Sequence, residues 1–230
     1  MSVKVTSASN NNLQRPSDDA ALAPAQLTIA CWIKMHVVSG TQDLISKSGV
    51  SSDLSYGWRL TSAGILELGT STDGTSFNTT SSVSTIVVDT CYHLCMTHST
   101  TAKTLYINGV QDATGAGPGA LFNSTVALHI GDRTDGANNS NFFMEDLRFY
   151  NRALSQAEVE TIFACQGTDG IMQGGIARYQ MDEGAPGVII GETAHVKDVW
   201  NNALHLSALG TTRPSWEEGL IVHARRRRAA

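Results

Sequence analysis

The sequence predicts an all-β fold, two antiparallel sheets packed face to face, and three observations lead there. Ser (22) and Thr (23) supply much of the polar surface of a 230-residue chain that is 41% hydrophobic and 16% charged. That balance is globular and β-leaning, neither disordered nor coiled-coil. Apolar and polar residues alternate through most of residues 1–150, the period of strands with one buried face. Clusters of Gly, Asn, Asp and Ser cut the alternation into short runs, as turns between strands do. The length suits one large β domain, or one domain with a small extension.

The first long run places Leu27, Ile29, Cys31, Ile33 and Met35 on one face and Thr28, Ala30, Trp32 and Lys34 on the other, a long half-buried strand. Shorter runs follow at 57–60, 65–68, 83–88, 92–97, 104–107, 126–130 and 142–150, and eight or more strands imply two packed sheets. Asn108-Gly109 can take the positive φ values of a type I′ turn, which predicts a tight hairpin. Residues 115–119, with Pro118 inside, cannot continue a central strand and should form a loop. Ser155-Gln-Ala-Glu158 reads as a capping box, followed by an apolar stripe of Val159, Ile162 and Phe163 after Leu154. This one short helix should pack on the end of the sandwich. After Cys165 comes a Gly-rich linker over 167–175, a strand near 176–181 and another near 203–206. The last 65 residues are too sparsely apolar for a second core and should complete the first.

Five stretches, in order, carry a family resemblance: Leu27-Thr-Ile-Ala-Cys-Trp-Ile-Lys34, Asp43-Leu-Ile-Ser-Lys47, Leu105-Tyr-Ile-Asn-Gly-Val110, His129-Ile-Gly-Asp-Arg133 and Met144-Glu-Asp-Leu-Arg-Phe-Tyr-Asn-Arg-Ala-Leu-Ser155. Across roughly residues 1–165 they resemble the successive motifs of laminin G-like, concanavalin A-like jelly-roll domains. The resemblance implies a two-sheet antiparallel jelly-roll sandwich with loops gathered on its rims. Three later stretches, Ile176-Ala-Arg-Tyr-Gln-Met-Asp-Glu-Gly184, Val196-Lys-Asp-Val-Trp-Asn-Asn-Ala-Leu204 and Pro214-Ser-Trp-Glu-Glu-Gly219, resemble the segment that usually precedes such a domain. Here it follows. Residues 166–224 are therefore expected to supply strands to the sandwich, their own or a neighbouring copy's, with 225–230 as an Arg-rich tail.

The chemistry of catalysis is sought and mostly missing. Retaining glycosidases need two carboxylates about 5–5.5 Å apart, and strand alternation sends those of Glu145-Asp146 to opposite faces. No Gly-x-Ser-x-Gly elbow and no His-Glu-x-x-His helix occurs among the seven histidines. The expectation is a protein that is not an enzyme and requires no cofactor. Calcium is a weaker expectation: Asp132 and Asp135 offer hard oxygen ligands in one rim loop. For a sugar, Tyr56, Trp58 and Phe77 could stack on a pyranose beside Asp53, Asp73 and Asn78. Cys31, Cys91, Cys95 and Cys165 match no zinc spacing. Cys91 and Cys95 stand roughly 13 Å apart on a strand, too far for a bridge, so free buried thiols are expected.

Net charge is −5, and since Arg225, Arg226, Arg227 and Arg228 hold four positive charges, residues 1–224 are more acidic still. Such a body repels nucleic acid. No apolar run approaches the roughly 18–20 residues that cross a bilayer, and the opening residues do not read as a secretory signal. The trailing segment and Arg-rich end are similar to proteins of tailed bacteriophages. That similarity implies a virion structural protein, a capsid decoration or external appendage made in host cytoplasm and shown on the particle. It would form homo-oligomers, with the trailing segment or Arg225–Arg228 tying it to an acidic partner surface, such as the capsid, or to its own neighbours. The alternative is a lectin-like carbohydrate-binding module, calcium-assisted, that recognises a host glycan.

Overall fold

The alternating runs form two antiparallel sheets in a computed structural model that describes residues 1–7, 11–191, 196–200, 203–209 and 213–220. From the N-terminus the strands are β1 (Ser2–Val5), β2 (Asn12–Gln14), β3 (Leu27–Met35), β4 (Gln42–Ser48), β5 (Leu54–Leu60), β6 (Ile65–Thr70), β7 (Asn78–Thr85) and β8 (Cys91–His98). They continue as β9 (Ala102–Ile107), β10 (Val110–Ala116), β11 (His129–Ile130) and β12 (Phe142–Tyr150). Helix α1 (Gln156–Cys165) precedes β13 (Gly175–Tyr179), β14 (Ser207–Leu209) and β15 (Ser215–Glu217). Sheet A is ordered β10-β9-β8-β3-β12-β1-β15, with β13 also on β12; sheet B is ordered β14-β2-β11-β4-β5-β6-β7. The inner faces bury one continuous core that includes Ile29, Cys31, Ile33, Trp58, Leu68, Met96, Phe142 and Phe149. The chain is all-β with one α-helix, a jelly-roll sandwich.

Local chemistry fixes several elements as the sequence predicts. Asn108 and Gly109 take φ of 53° and 80° and join β9 to β10. Ser155 caps α1, accepting from the Glu158 backbone while the Glu158 carboxylate accepts from the Ser155 backbone. Elsewhere the structure departs from expectation. The helix lies on the outer face of sheet A rather than on the end of the sandwich. There Val159 and Ile162 pack with Ala30, Cys95, Tyr106 and Tyr150, and Phe163 stacks on Trp32 at 5.6 Å. Strand β3 is therefore buried on both faces instead of one, with Lys34 alone partly exposed. In β7 the inward residues are Thr80 and Ser82, whose hydroxyls replace apolar side chains. Ser82 Oγ accepts from the Leu66 N–H at 3.0 Å, and Val83 points to solvent. The valine-rich run at 83–88 misled because Val83, Val87 and Val88 are exposed and only Ile86 joins the core.

The segment after Cys165 is woven into both sheets of its own chain. Along one edge of β12, β1 pairs with Phe142–Met144 and β13 with Leu147–Tyr150. β15 pairs with β1 and β14 with β2, extending the two sheets. Between β1 and β13 the strand bulges, and Asp146 takes a φ of 52°. Arg148 Nη2 donates to Asp146 at 2.7 Å, and its Nη1 and Nη2 donate to Asp169 at 2.8 Å. Arg178 Nε donates to the other Asp146 oxygen at 2.7 Å. This buried four-residue ion network locks the linker and β13 onto sheet A.

Candidate functional site

The solvent face of sheet B carries a trough made by small residues. Cross-strand pairing sets Ser46 opposite Gly57, Gly57 opposite Gly69, and Gly69 opposite Thr79, one row across four strands. Directly opposed residues share a face, and the two glycines leave its floor without side chains. Phe77 lies across that floor. A Cβ placed on Gly69 would meet the ring Cγ at 3.0 Å, and one on Gly57 would meet Cζ at 3.9 Å, so the ring spans from β6 to β5. Its opposite face is turned to water, and Phe77 is 40% exposed. The groove is a small recess open to solvent, bounded by Asp43, Arg59, Arg133, Ser48 and Val50.

Charges at the rim are held by short bonds. Arg59 Nε donates to Glu67 at 2.6 Å across the β5–β6 pair. Arg133, from the loop after β11, donates through Nε and Nη2 to the two oxygens of Asp135 at 3.0 and 2.7 Å. Asp43 sits opposite Arg59 and accepts from Asn138 Nδ2 at 2.8 Å. Burial pushes its pKa above the ordinary carboxylate value; the Asn138 bond and the guanidinium groups of Arg133 and Arg59 oppose that push.

The residues singled out for sugar binding fall in different places. Tyr56 and Trp58 are 0% exposed in the core, because they alternate with the outward Gly57 and Arg59, and neither can present a ring to a sugar. Asp53, at a φ of 59°, accepts from the Thr125 N–H at 3.1 Å and its hydroxyl at 2.6 Å, fastening the loop before β11. Asp73 accepts from the N–H groups of Thr75 and Ser76 at 2.8 and 3.0 Å, and these bonds hold its pKa well below the usual range. Asn78 adjoins Phe77 in a shallow depression with Thr70, Ser76 and Pro118. Of the six, Phe77 alone lines the groove.

The calcium ligands do not fit that role. Asp132 is buried, accepting from Asn12 Nδ2 and lying 3.0 Å from His129 Nδ1, while Asp135 spends both oxygens on Arg133. Among the described residues no group of three or more His, Cys, Asp and Glu side chains could hold a metal. The Glu145-Asp146 pair is also corrected. The bulge sets both carboxylates toward the roofed outer side of sheet A, Glu145 beside Trp32 and Asp146 against Arg148. Both are buried away from any substrate. All four cysteines are free; Cys31 and Cys95 are buried, whereas Cys91 and Cys165 are half-buried. Arg225–Arg228 lie outside the described residues.

Sequence reasoning missed Asp43, Arg59 and Arg133 as site residues. Its usable signal was the pair Gly57 and Gly69, glycines inside strand runs where a close approach is the usual cause.

A laminin G family model, described as the concanavalin A-like lectin/glucanases superfamily, matches residues 7–160. The chain belongs to that superfamily. A search of curated protein sequences found no match. Among solved structures, the superfamily fold is shared with the heptameric SAP-like pentraxin of Limulus polyphemus (TM-score 0.58, 22% identity, 73% of this chain and 83% of that one). A Bacteroides ovatus protein whose description proposes carbohydrate binding aligns with TM-score 0.70 and 15% identity over 95% of this chain and 60% of its own. The binding domain of botulinum neurotoxin serotype G aligns with TM-score 0.56 and 12% identity over 72% and 42%. The chain thus spans less than two thirds of the last two. At these identities the likeness is one of superfamily fold.

Proposed function

We propose that this protein is a carbohydrate-binding module whose site is the groove on the solvent face of sheet B. The observation that carries the reading is Phe77, an aromatic ring laid flat over a two-glycine floor with its free face in water. Burial of one face in the protein fixes the ring, so stacking a pyranose on the other costs little side-chain entropy. Hydroxyls of Ser46 and Thr79 and the rim groups Asp43, Arg59 and Arg133 surround it with polar partners for sugar hydroxyls. The lectin-like superfamily fold supports the same reading. We read the module as non-catalytic: Asp43 is the one carboxylate lining the groove among the described residues, and the rim carboxylates Glu67 and Asp135 are bonded to Arg59 and Arg133, whereas glycoside hydrolysis takes two placed carboxylates. Display in several copies would multiply a weak single-site affinity. Virion attachment, the other role implied by resemblance, rests on the trailing segment or on Arg225–Arg228; β13, β14 and β15 of that segment pair within their own chain.

A glycan array read with the wild type and Phe77→Ala tests the proposal. Wild type should bind a defined subset of glycans, and Phe77→Ala should lose about tenfold or more in affinity, near 1.4 kcal/mol, with an unchanged melting temperature. Equal binding by the two proteins, or none by wild type, overturns it.

A further inference from the structure

Resting on that reading, we infer that the groove selects acidic sugars, taking a carboxylate of the stacked residue or its neighbour on the free guanidinium donors of Arg59 and Arg133. Arg59 commits Nε to Glu67, and no described residue accepts from its two terminal amino groups. Arg133 commits Nε and Nη2 to Asp135, leaving Nη1 without an acceptor among the described residues. Both side chains line the same groove as Phe77. A guanidinium holds a planar fork of five donors, matched to carboxylate oxygens and poorly used by water alone.

The distances suit one ligand. Neighbouring strands lie about 4.8 Å apart, so the end of the Phe77 ring over Gly57 stands one strand from Ser46 and next to the Asp43–Arg59 pair. A pyranose stacked on the ring reaches these rim groups with its ring substituents. The rim is not simply basic: Asp43, Glu67 and Asp135 accompany the two arginines. Glu67 and Asp135 hold the guanidinium groups in place rather than neutralising every donor. Asp43 is shielded by its Asn138 bond and by burial. Selection then comes from directed hydrogen bonds, more than from bulk charge, so moderate salt weakens binding without abolishing it.

The test is isothermal titration with oligomers of galacturonate, glucuronate and mannuronate, each beside its carboxyl-reduced neutral counterpart. Proteins are wild type, Arg59→Gln, Arg133→Gln and Phe77→Ala, all checked for unchanged melting temperature. At least one acid oligomer should bind wild type about tenfold or more tighter than its reduced form. Arg59→Gln or Arg133→Gln should erase that preference by lowering the acid oligomer's affinity about tenfold more than the neutral form's, and Phe77→Ala should weaken both forms alike. Neutral sugars bound as tightly as acidic ones, with the arginine variants unchanged, overturn the acidic selection and leave the sugar site standing. Failure of every sugar to bind wild type overturns both.

Discussion

The outer faces of the two sheets start from the same strand alternation, yet one is roofed and the other open. On sheet A, Thr28, Ala30 and Trp32 of β3 point outward and are covered by the turn before α1, by α1 itself and by Leu220. The covering chain is anchored through Arg148 to Asp146 and Asp169, and through Arg178 to Asp146, all inside the protein. On sheet B the outward positions of the central row hold Ser46, Gly57, Gly69 and Thr79, too small to seat a helix, with Phe77 the one ring laid over them. Large residues on the outer side of sheet A, Trp32, Tyr106 and Tyr150, lie beneath a second layer, and the small central row of sheet B leaves a recess. Stability is concentrated on the first face and recognition on the second, so changes to each should be separable.

The strongest break in that contrast is Arg148→Met. It strands the buried Asp169 carboxylate without its counter-charge and leaves Asp146 with Arg178 alone, a loss of about 3–5 kcal/mol. Chemical denaturation should report it, while folded variant still binds sugar as wild type does. Acid gives a graded version of the same test. Burial alone would raise the Asp146 pKa, but Arg148 and Arg178 outweigh it and hold the group at about 2. An unfolded Asp titrates near 3.9. The network's contribution is thus complete above pH 4 and lost as pH falls through about 2, roughly 2 kcal/mol in all. Denaturation midpoints of wild type should fall over that window, and those of Arg148→Met should fall less.

On the open face, Gly69→Ala puts a Cβ 3.0 Å from the Phe77 ring and must shift it. Sugar affinity should drop about tenfold, with stability changed by no more than about 1 kcal/mol. The smallest effect belongs to the roof: Ser155→Ala removes the cap of α1 and costs about 1 kcal/mol, and titration calorimetry should find sugar binding unaltered.

The legible part of the fold was local. Alternation, the Asn108-Gly109 turn and the Ser155–Glu158 box each act within a few residues, and each produced the element expected. What escaped depended on distant partners. Periodicity describes β3 as half-buried because it cannot register that α1 and Leu220 close over Trp32. β7 was misplaced because Thr80 and Ser82 face inward, reversing the hydropathy rule. For the site, aromatic residues near acids were sensible candidates, and Phe77 lies in the groove. Tyr56 and Trp58 failed on parity alone: one residue along β5 separates the core from the solvent face. Arg59 and Arg133 come together only through the pairing of β4 with both β5 and β11, which no single stretch of sequence displays.

Backbone amide chemical shifts, followed as a bound acidic oligosaccharide is titrated into the labelled protein, test most directly whether recognition belongs to sheet B. Shifts should cluster at Gly57, Gly69, Phe77 and Thr79 and leave Ala30, Trp32 and Tyr150 still. Movement confined to the roof of sheet A, or to neither face, would contradict the division of labour between the two sheets.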